Sequence, residues 1–272
     1  MPNRIGSFQT SRWLVLTGLC LLLTACTPTM RQTNDPGSFA WFDLVTETPD
    51  VARGFYSDLF GWRFSKPLGE DTELISSNGA FIGGLVSVIG GEQRAESKWE
   101  PVLSVSDTLA AIHTTESLGG KLSQRLDTEG RGVFAAISDN SGATLTLYDG
   151  SAGVPRSDGL TLNSWVWVDL LTDNTSRARH FYRELVGFET RKSGKFTIFT
   201  KAGRTRAGLV RVPRSQVEPN WLPYVLVADL EATIASARSL GGGLLTREGE
   251  AAILLDPTGA AIGIVTRKGL AQ

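Results

Sequence analysis

The chain repeats itself, and the repeat restricts what it can fold into more than any other feature. Residues 41–61 read WFDLVTETPDVARGFYSDLFG and residues 167–187 read WVDLLTDNTSRARHFYRELVG, identical at ten of 21 positions without a gap. A second pair follows. Residues 99–122 read WEPVLSVSDTLAAIHTTESLGGKL, and residues 221–244 read WLPYVLVADLEATIASARSLGGGL, identical at eleven of 24. A duplication of this length implies two structurally equivalent halves. It also supplies an internal control, because any proposed site can be looked for in both copies.

Each half reads as strand, helix, strands, and then the same again. Phe39 to Thr46 alternates as a strand does, Thr48 is placed as an N-cap, and Pro49 opens a helix that Gly61 can end. Strand-like pieces at 72–76 and 81–89 flank Asn78-Gly79, a hairpin signal. The next unit starts at Val102 to Val105. Asp107 caps a helix running to Leu118, and strands at 133–137 and 144–148 surround a turn at 139–142. The second half repeats this order with a strand at 164–171, a helix at 175–186, a strand at 225–227 and a helix at 230–240. An insertion around Asp127 to Arg131 reads as a mobile loop of the first half. The predicted class is α+β: four tandem βαβββ units in two domains, 38–150 and 162–270, joined by a linker at 151–161.

Residues 1–26 form a separate segment. Arg4 and Arg12 precede an apolar run, Trp13 to Leu23, too short for an ordinary bilayer-spanning helix, and the run ends Leu-Thr-Ala-Cys at Cys26. That pattern resembles a bacterial lipoprotein signal, with lipidation expected at Cys26 and a polar tether at 27–37. A plain signal peptide or an uncleaved anchor is the alternative. Thr27, rather than Asp, directs the expectation to the outer membrane, facing the periplasm. The expected partners are therefore a membrane, through the lipid anchor, and a small molecule. Both cysteines, Cys20 and Cys26, fall in this segment, so the remainder can form no disulfide and depends on its core. The segment holds two of the 27 basic residues and none of the 28 acidic ones, which leaves 25 against 28 and no basic stripe for nucleic acid.

Trp-x-Asp-Leu, then Ala-Arg-x-Phe-Tyr-x-x-Leu-x-Gly, and later Asp-x-x-Gly-Ala before a final strand resemble the vicinal oxygen chelate superfamily. That superfamily includes glyoxalase I, extradiol dioxygenases and the bleomycin and fosfomycin resistance proteins. The resemblance implies concave sheets backed by helices, and in many members a divalent ion held by His and Glu. Matched onto this chain, the four ligand places are Trp41, Gly84, Glu100 and Thr146 in the first half, and Trp167, Gly208, Leu222 and Gly263 in the second. Indole has no lone pair to offer a metal, and one carboxylate, Glu100, does not hold a divalent ion. His113 and His180 lie on helices, on the far side of the sheets. No cofactor is expected.

Strand alternation then places Phe39, Trp41 and Asp43 on one face with Glu100 and Thr146, and Trp165, Trp167 and Asp169 on one face with Tyr224. These nine side chains are the expected ligand-binding set, with Asp43 and Glu100 as candidate catalytic carboxyls. Three readings follow. The tryptophans stack on a small apolar or aromatic ligand that is bound but not transformed. A carboxyl acts as general base in a glyoxalase-type lyase or a related enzyme. Or the aromatics fill the clefts and the protein is a scaffold.

Overall fold

A computed structural model describes residues 35–66, 72–88, 97–128, 132–150, 160–194 and 196–270. The signal segment with Cys26, most of the tether and residues 151–159 of the linker lie outside the described residues. The first unit comprises β1 (Phe39–Thr46), α1 (Pro49–Phe60), β2 (Arg63–Ser65), β3 (Glu73–Ser77) and β4 (Ala80–Ser87). The second comprises β5 (Lys98–Ser104), α2 (Thr108–Ser117), β6 (Lys121–Thr128), β7 (Gly132–Ser138) and β8 (Thr144–Tyr148). The third comprises β9 (Trp165–Thr172), α3 (Thr175–Val186), β10 (Glu189–Ser193), β11 (Phe196–Lys201) and β12 (Arg204–Arg211). The fourth comprises β13 (Asn220–Leu226), α4 (Leu230–Ser239), β14 (Gly243–Glu248), β15 (Ala251–Leu255) and β16 (Ala261–Val265). The four βαβββ units are therefore present.

Units one and two share an eight-stranded sheet, β2-β3-β4-β1-β5-β8-β7-β6, and units three and four share its copy, β10-β11-β12-β9-β13-β16-β15-β14. The first strands of paired units meet at the centre, antiparallel, with Asp43 opposite Glu100 and Asp169 opposite Leu222. Local chemistry explains the ends of the elements. Asp107 and Asp229 accept the amides of Ala110 and Ala232 as N-caps, and Gly61 and Gly187 end α1 and α3 in the left-handed conformation. Asn78 and Gly79, at φ 51° and 81°, make the tight turn that the pair signalled. Thr48 sits at the N-cap of α1, but its side chain makes no capping bond. The insertion expected as a loop extends a hairpin: Asp127 pairs with Val133 and Thr128 with Gly132, because backbone pairing satisfies those amides and carbonyls without cost to any buried group. Residues 129–131 lie outside the described set.

The helices lie between the two sheets, α1 against α4 and α2 against α3, and one apolar core runs through both domains. Two reciprocal polar links cross it. Tyr56 on α1 donates to Asp256 at 2.9 Å and accepts from Trp99 Nε1; Tyr182 on α3 donates to Asp139 at 3.1 Å and accepts from Trp221 Nε1. Each aspartate also accepts turn amides, Ser141 and Ala143 in one case and Thr258 and Ala260 in the other. A buried tyrosine hydroxyl needs such partners, and here each domain supplies the accepting aspartate to the other's tyrosine.

Candidate functional site

The first strand of each domain carries a β-bulge, and the bulge decides which side chains share a face. Phe39 pairs with Leu103 and Trp41 with Val102, so two steps along β1 match one along β5. In the other domain, Trp165 pairs with Val225 and Trp167 with Tyr224. The extra residue reverses the alternation at that point. Phe39 and Trp165 are thus not on the ligand face. Phe39 packs at 4.8 Å from the Trp221 ring and 6.4 Å from Phe188, in the aromatic core of the second domain. Trp165 stands 4.8 Å from Phe42, 5.1 Å from Trp62 and 4.9 Å from Trp99, in the core of the first, and donates its indole N–H to the Ile82 carbonyl. Each domain inserts its bulge aromatic into the other. Both residues leave the expected ligand set, and their removal from water is a packing contribution.

The other seven remain on the concave faces. In the first domain the Trp41 indole N–H donates to Asp43 at 2.5 Å, and the Gly84 amide donates to the same carboxylate. Gly84 is bare for a reason: a Cβ there would overlap the Asp43 oxygen and press on the Thr72 methyl at 3.3 Å. Glu100, opposite Asp43, lies 3.8 Å from the Lys98 ammonium, which donates in turn to Thr144 at 2.8 Å. Thr146 faces Val102 on the neighbouring strand. Lys98 was missed in the sequence, although its two-residue spacing from Glu100 puts both on one face.

Burial drives the electrostatics. Desolvation, reinforced by the nearby Glu100 charge, pushes the Asp43 carboxyl up to about 7 against the opposing bonds from Trp41 and Gly84. Desolvation also raises Glu100, with Lys98 and Thr144 working the other way. The cleft therefore holds two adjacent carboxyls, of which one changes protonation near neutrality.

The second domain has the same frame with different contents. Trp167 donates to Asp169 at 2.7 Å, and a Cβ at Gly208 would overlap that carboxylate. The Tyr224 hydroxyl stands beside Asp169, and its ring lies against Gly263, where any side chain would collide with it. Leu222, buried, takes the place of Glu100. Desolvation raises Asp169, and burial together with the Asp169 charge raises the Tyr224 phenol.

Residues 165–265 match the family model of the glyoxalase-like domain. The anthracycline biosynthesis protein DauV of Streptomyces sp. (strain C5) is 30% identical over 265 residues, which cover 85% of this chain and 93% of DauV. The chain belongs to the vicinal oxygen chelate superfamily. The Mn(II)-bound glyoxalase of Novosphingobium aromaticivorans has the same fold, with a TM-score of 0.57 at 15% identity over 85% of this chain and 82% of that one. An extradiol ring-cleaving dioxygenase from B. fuscum superposes with a TM-score of 0.60 at 16% identity, over 88% of this chain and 74% of its own.

The ion that the superfamily implies does not fit these residues. At the matched places stand two indoles whose N–H groups already point at carboxylates, three glycines, a leucine and a threonine, with Glu100 beside Lys98. Among the described residues, no three His, Cys, Asp or Glu side chains converge on a point. His113 and His180 are exposed on α2 and α3. Each indole N–H instead turns toward its aspartate, which orients that carboxylate by hydrogen bonding.

Proposed function

We propose that this glyoxalase-like protein is an envelope lipoprotein, anchored through Cys26 in the outer membrane and facing the periplasm, that binds a small apolar or aromatic molecule in a cleft without using a metal ion. The observation that carries this reading is the indole–carboxylate pair, Trp41 with Asp43 and Trp167 with Asp169, built where a metal site would stand. A half-buried indole gives a flat apolar wall, and the carboxylate beside it fixes a polar group of the ligand. The similarity to a protein named for anthracycline biosynthesis fits a ligand of aromatic character.

Titration of the purified chain with a panel of aromatic compounds, read by indole fluorescence, tests the binding. Saturable quenching that shifts on Trp41→Phe supports it, and no response across the panel refutes it. Elemental analysis of protein purified without chelator tests the ion-free state; one equivalent of transition metal per chain overturns it. Fractionation of a Cys26→Ala variant tests the anchor, which predicts release from the membrane.

A second reading rests on Asp43 itself. A carboxyl that titrates near 7 in an enclosed site is matched to proton abstraction at neutral pH. A metal-free enzyme of lyase or isomerase type would use Asp43 as general base, with Glu100 close by. Turnover that follows a single ionisation near pH 7 and vanishes in Asp43→Asn separates this reading from binding alone.

A further inference from the structure

The two halves of the duplication differ sharply in charge. Residues 38–150 hold eight Lys and Arg against sixteen Asp and Glu, whereas residues 162–270 hold fifteen against ten, so the small net charge of the chain conceals an acidic domain joined to a basic one. Part of the basic excess lies on one flank of the second domain. Between α3 and β10 runs a groove of about 260 Å³, lined by Ser176, Arg179, His180 and Arg183 on a single face of the helix and by Phe188 beside β10. Lys192 follows Thr190 of the lining at the two-residue spacing of one strand face. Two acids share the flank: Glu189 in the lining, and Glu184, which Arg183 engages at 2.9 Å. The first domain serves as the control. Its matching positions on α1 are Asp50, Arg53, Gly54 and Ser57, and the one cation among them is held by both Asp50 and Glu73.

The tether leaves the fold beside this groove. Gly37 donates its amide to the Ser104 carbonyl of the first domain, and a Cβ on it would stand 2.9 Å from the Phe188 ring and 3.0 Å from the Lys201 chain of the second. Asp35, two residues earlier, accepts two bonds from the Arg206 guanidinium at 2.8 and 2.9 Å, with Arg204 at 3.5 Å. Burial and the adjacent Arg206 lower the Lys201 ammonium against the pull of Asp35, as expected where cations outnumber a carboxylate. Eight residues, 27–34, separate Asp35 from Cys26, a reach of at most about 30 Å. A lipid on Cys26 would hold the basic flank within that distance of the bilayer. We infer that the flank formed by α3, β10 and the β11–β12 turn rests on an anionic phospholipid surface, with headgroup phosphates against Arg179, His180 and Arg183. This deepens the anchor proposal and rests on it. Basic side chains near an anionic leaflet add attraction that the lipid does not supply, and they fix which side of the protein faces it. The groove lies on the helix side of the sheet, so the concave faces carrying Trp41 and Trp167 stay uncovered.

Co-sedimentation with vesicles tests the surface without the lipid. The chain from residue 27 onward keeps every described helix and strand, and circular dichroism and the melting temperature confirm its folding. It is expected to bind vesicles of phosphatidylcholine with about 30% phosphatidylglycerol, to leave them at about 0.5 M salt, and to ignore pure phosphatidylcholine. Arg179→Gln with Arg183→Gln should weaken that binding by about tenfold to thirtyfold, the size of two surface cations. Lys121→Gln with Arg125→Gln, an equal change of charge on β6 of the first domain, should alter it by less than about twofold. Failure to bind the anionic vesicles, or an equal loss in both variants, overturns the inference and leaves the anchor proposal standing. Tighter binding to a DNA duplex at the same salt also overturns it, in favour of a nucleic-acid surface. Fractionation of full-length Cys26→Ala reads the anchor separately. Retention of that variant in the membrane overturns the anchor and the orientation drawn from it, and release together with vesicle binding supports both.

Discussion

Asp43 is the residue whose environment makes the sharpest prediction. Its carboxyl titrates near 3.8 in an unfolded chain and at about 7 in the folded one, with desolvation as the largest cause. The folded state therefore keeps its proton over a range where the unfolded chain has lost it. For a raised carboxyl, the stabilising proton is present below the unfolded midpoint and is lost as pH rises through the folded midpoint. Stability should fall between about pH 4 and pH 7 and level off above, with a full cost of about 4 kcal/mol at 1.36 kcal/mol per pH unit. Asp43→Asn keeps the shape and the acceptor for Trp41 but cannot titrate. Relative to that variant, the native chain should lose about 2–3 kcal/mol between pH 5 and pH 8. Asp169, also raised, contributes equally to both chains and cancels. Urea unfolding at a series of pH values, followed by far-UV circular dichroism with a check that the denaturant slope is constant, measures the difference. A difference that stays flat within about 0.5 kcal/mol across that window refutes the account of a carboxyl raised by burial.

Other consequences of the geometry are equally open to measurement. Gly208→Ala forces a methyl into the Asp169 carboxylate and should cost about 1–3 kcal/mol, with part of the loss recovered in a Gly208→Ala, Asp169→Ala double variant. Trp165→Ala should cost about 3–5 kcal/mol by opening a cavity among Phe42, Trp62 and Trp99, yet leave the affinity for any aromatic compound that binds unchanged; a selective loss of binding would return Trp165 to the ligand set. Tyr56→Phe and Tyr182→Phe should each cost about 1–3 kcal/mol, because Asp256 or Asp139 and the facing indole N–H lose their partner, and chemical denaturation of the single and double variants checks both size and additivity.

Much of the fold is legible in the residues because its signals are local. The repeated Ala-Arg-x-Phe-Tyr helices, the aspartate caps, Gly61 and Gly187, and the Asn78-Gly79 turn each act within a few residues of themselves. The concave set of Trp41, Asp43, Glu100, Thr146, Trp167, Asp169 and Tyr224 followed from the two-residue period of a strand. Phe39 and Trp165 did not, since a bulge is a mismatch between two strands and leaves no mark in one. The hairpin that absorbs Asp127 was hidden likewise, as its pairing partner, Val133, lies beyond the turn. Lys98 is hard to read for a different reason: it opens β5 ahead of the apolar residues that mark the strand.

From the chain alone come the duplication and the four units, since these depend only on which residue stands at each position. Tertiary structure alone decides the rest. It sends Phe39 and Trp165 across into the opposite domain, and joins two sheets through one core with reciprocal tyrosine–aspartate links. It also lifts Asp43 toward neutrality and sets Tyr224 against Gly263. The physical reason is that burial and proximity belong to pairs of residues distant in sequence: how far a carboxyl is held from water, and which ring meets which, is settled only when the sheets close on the helices between them.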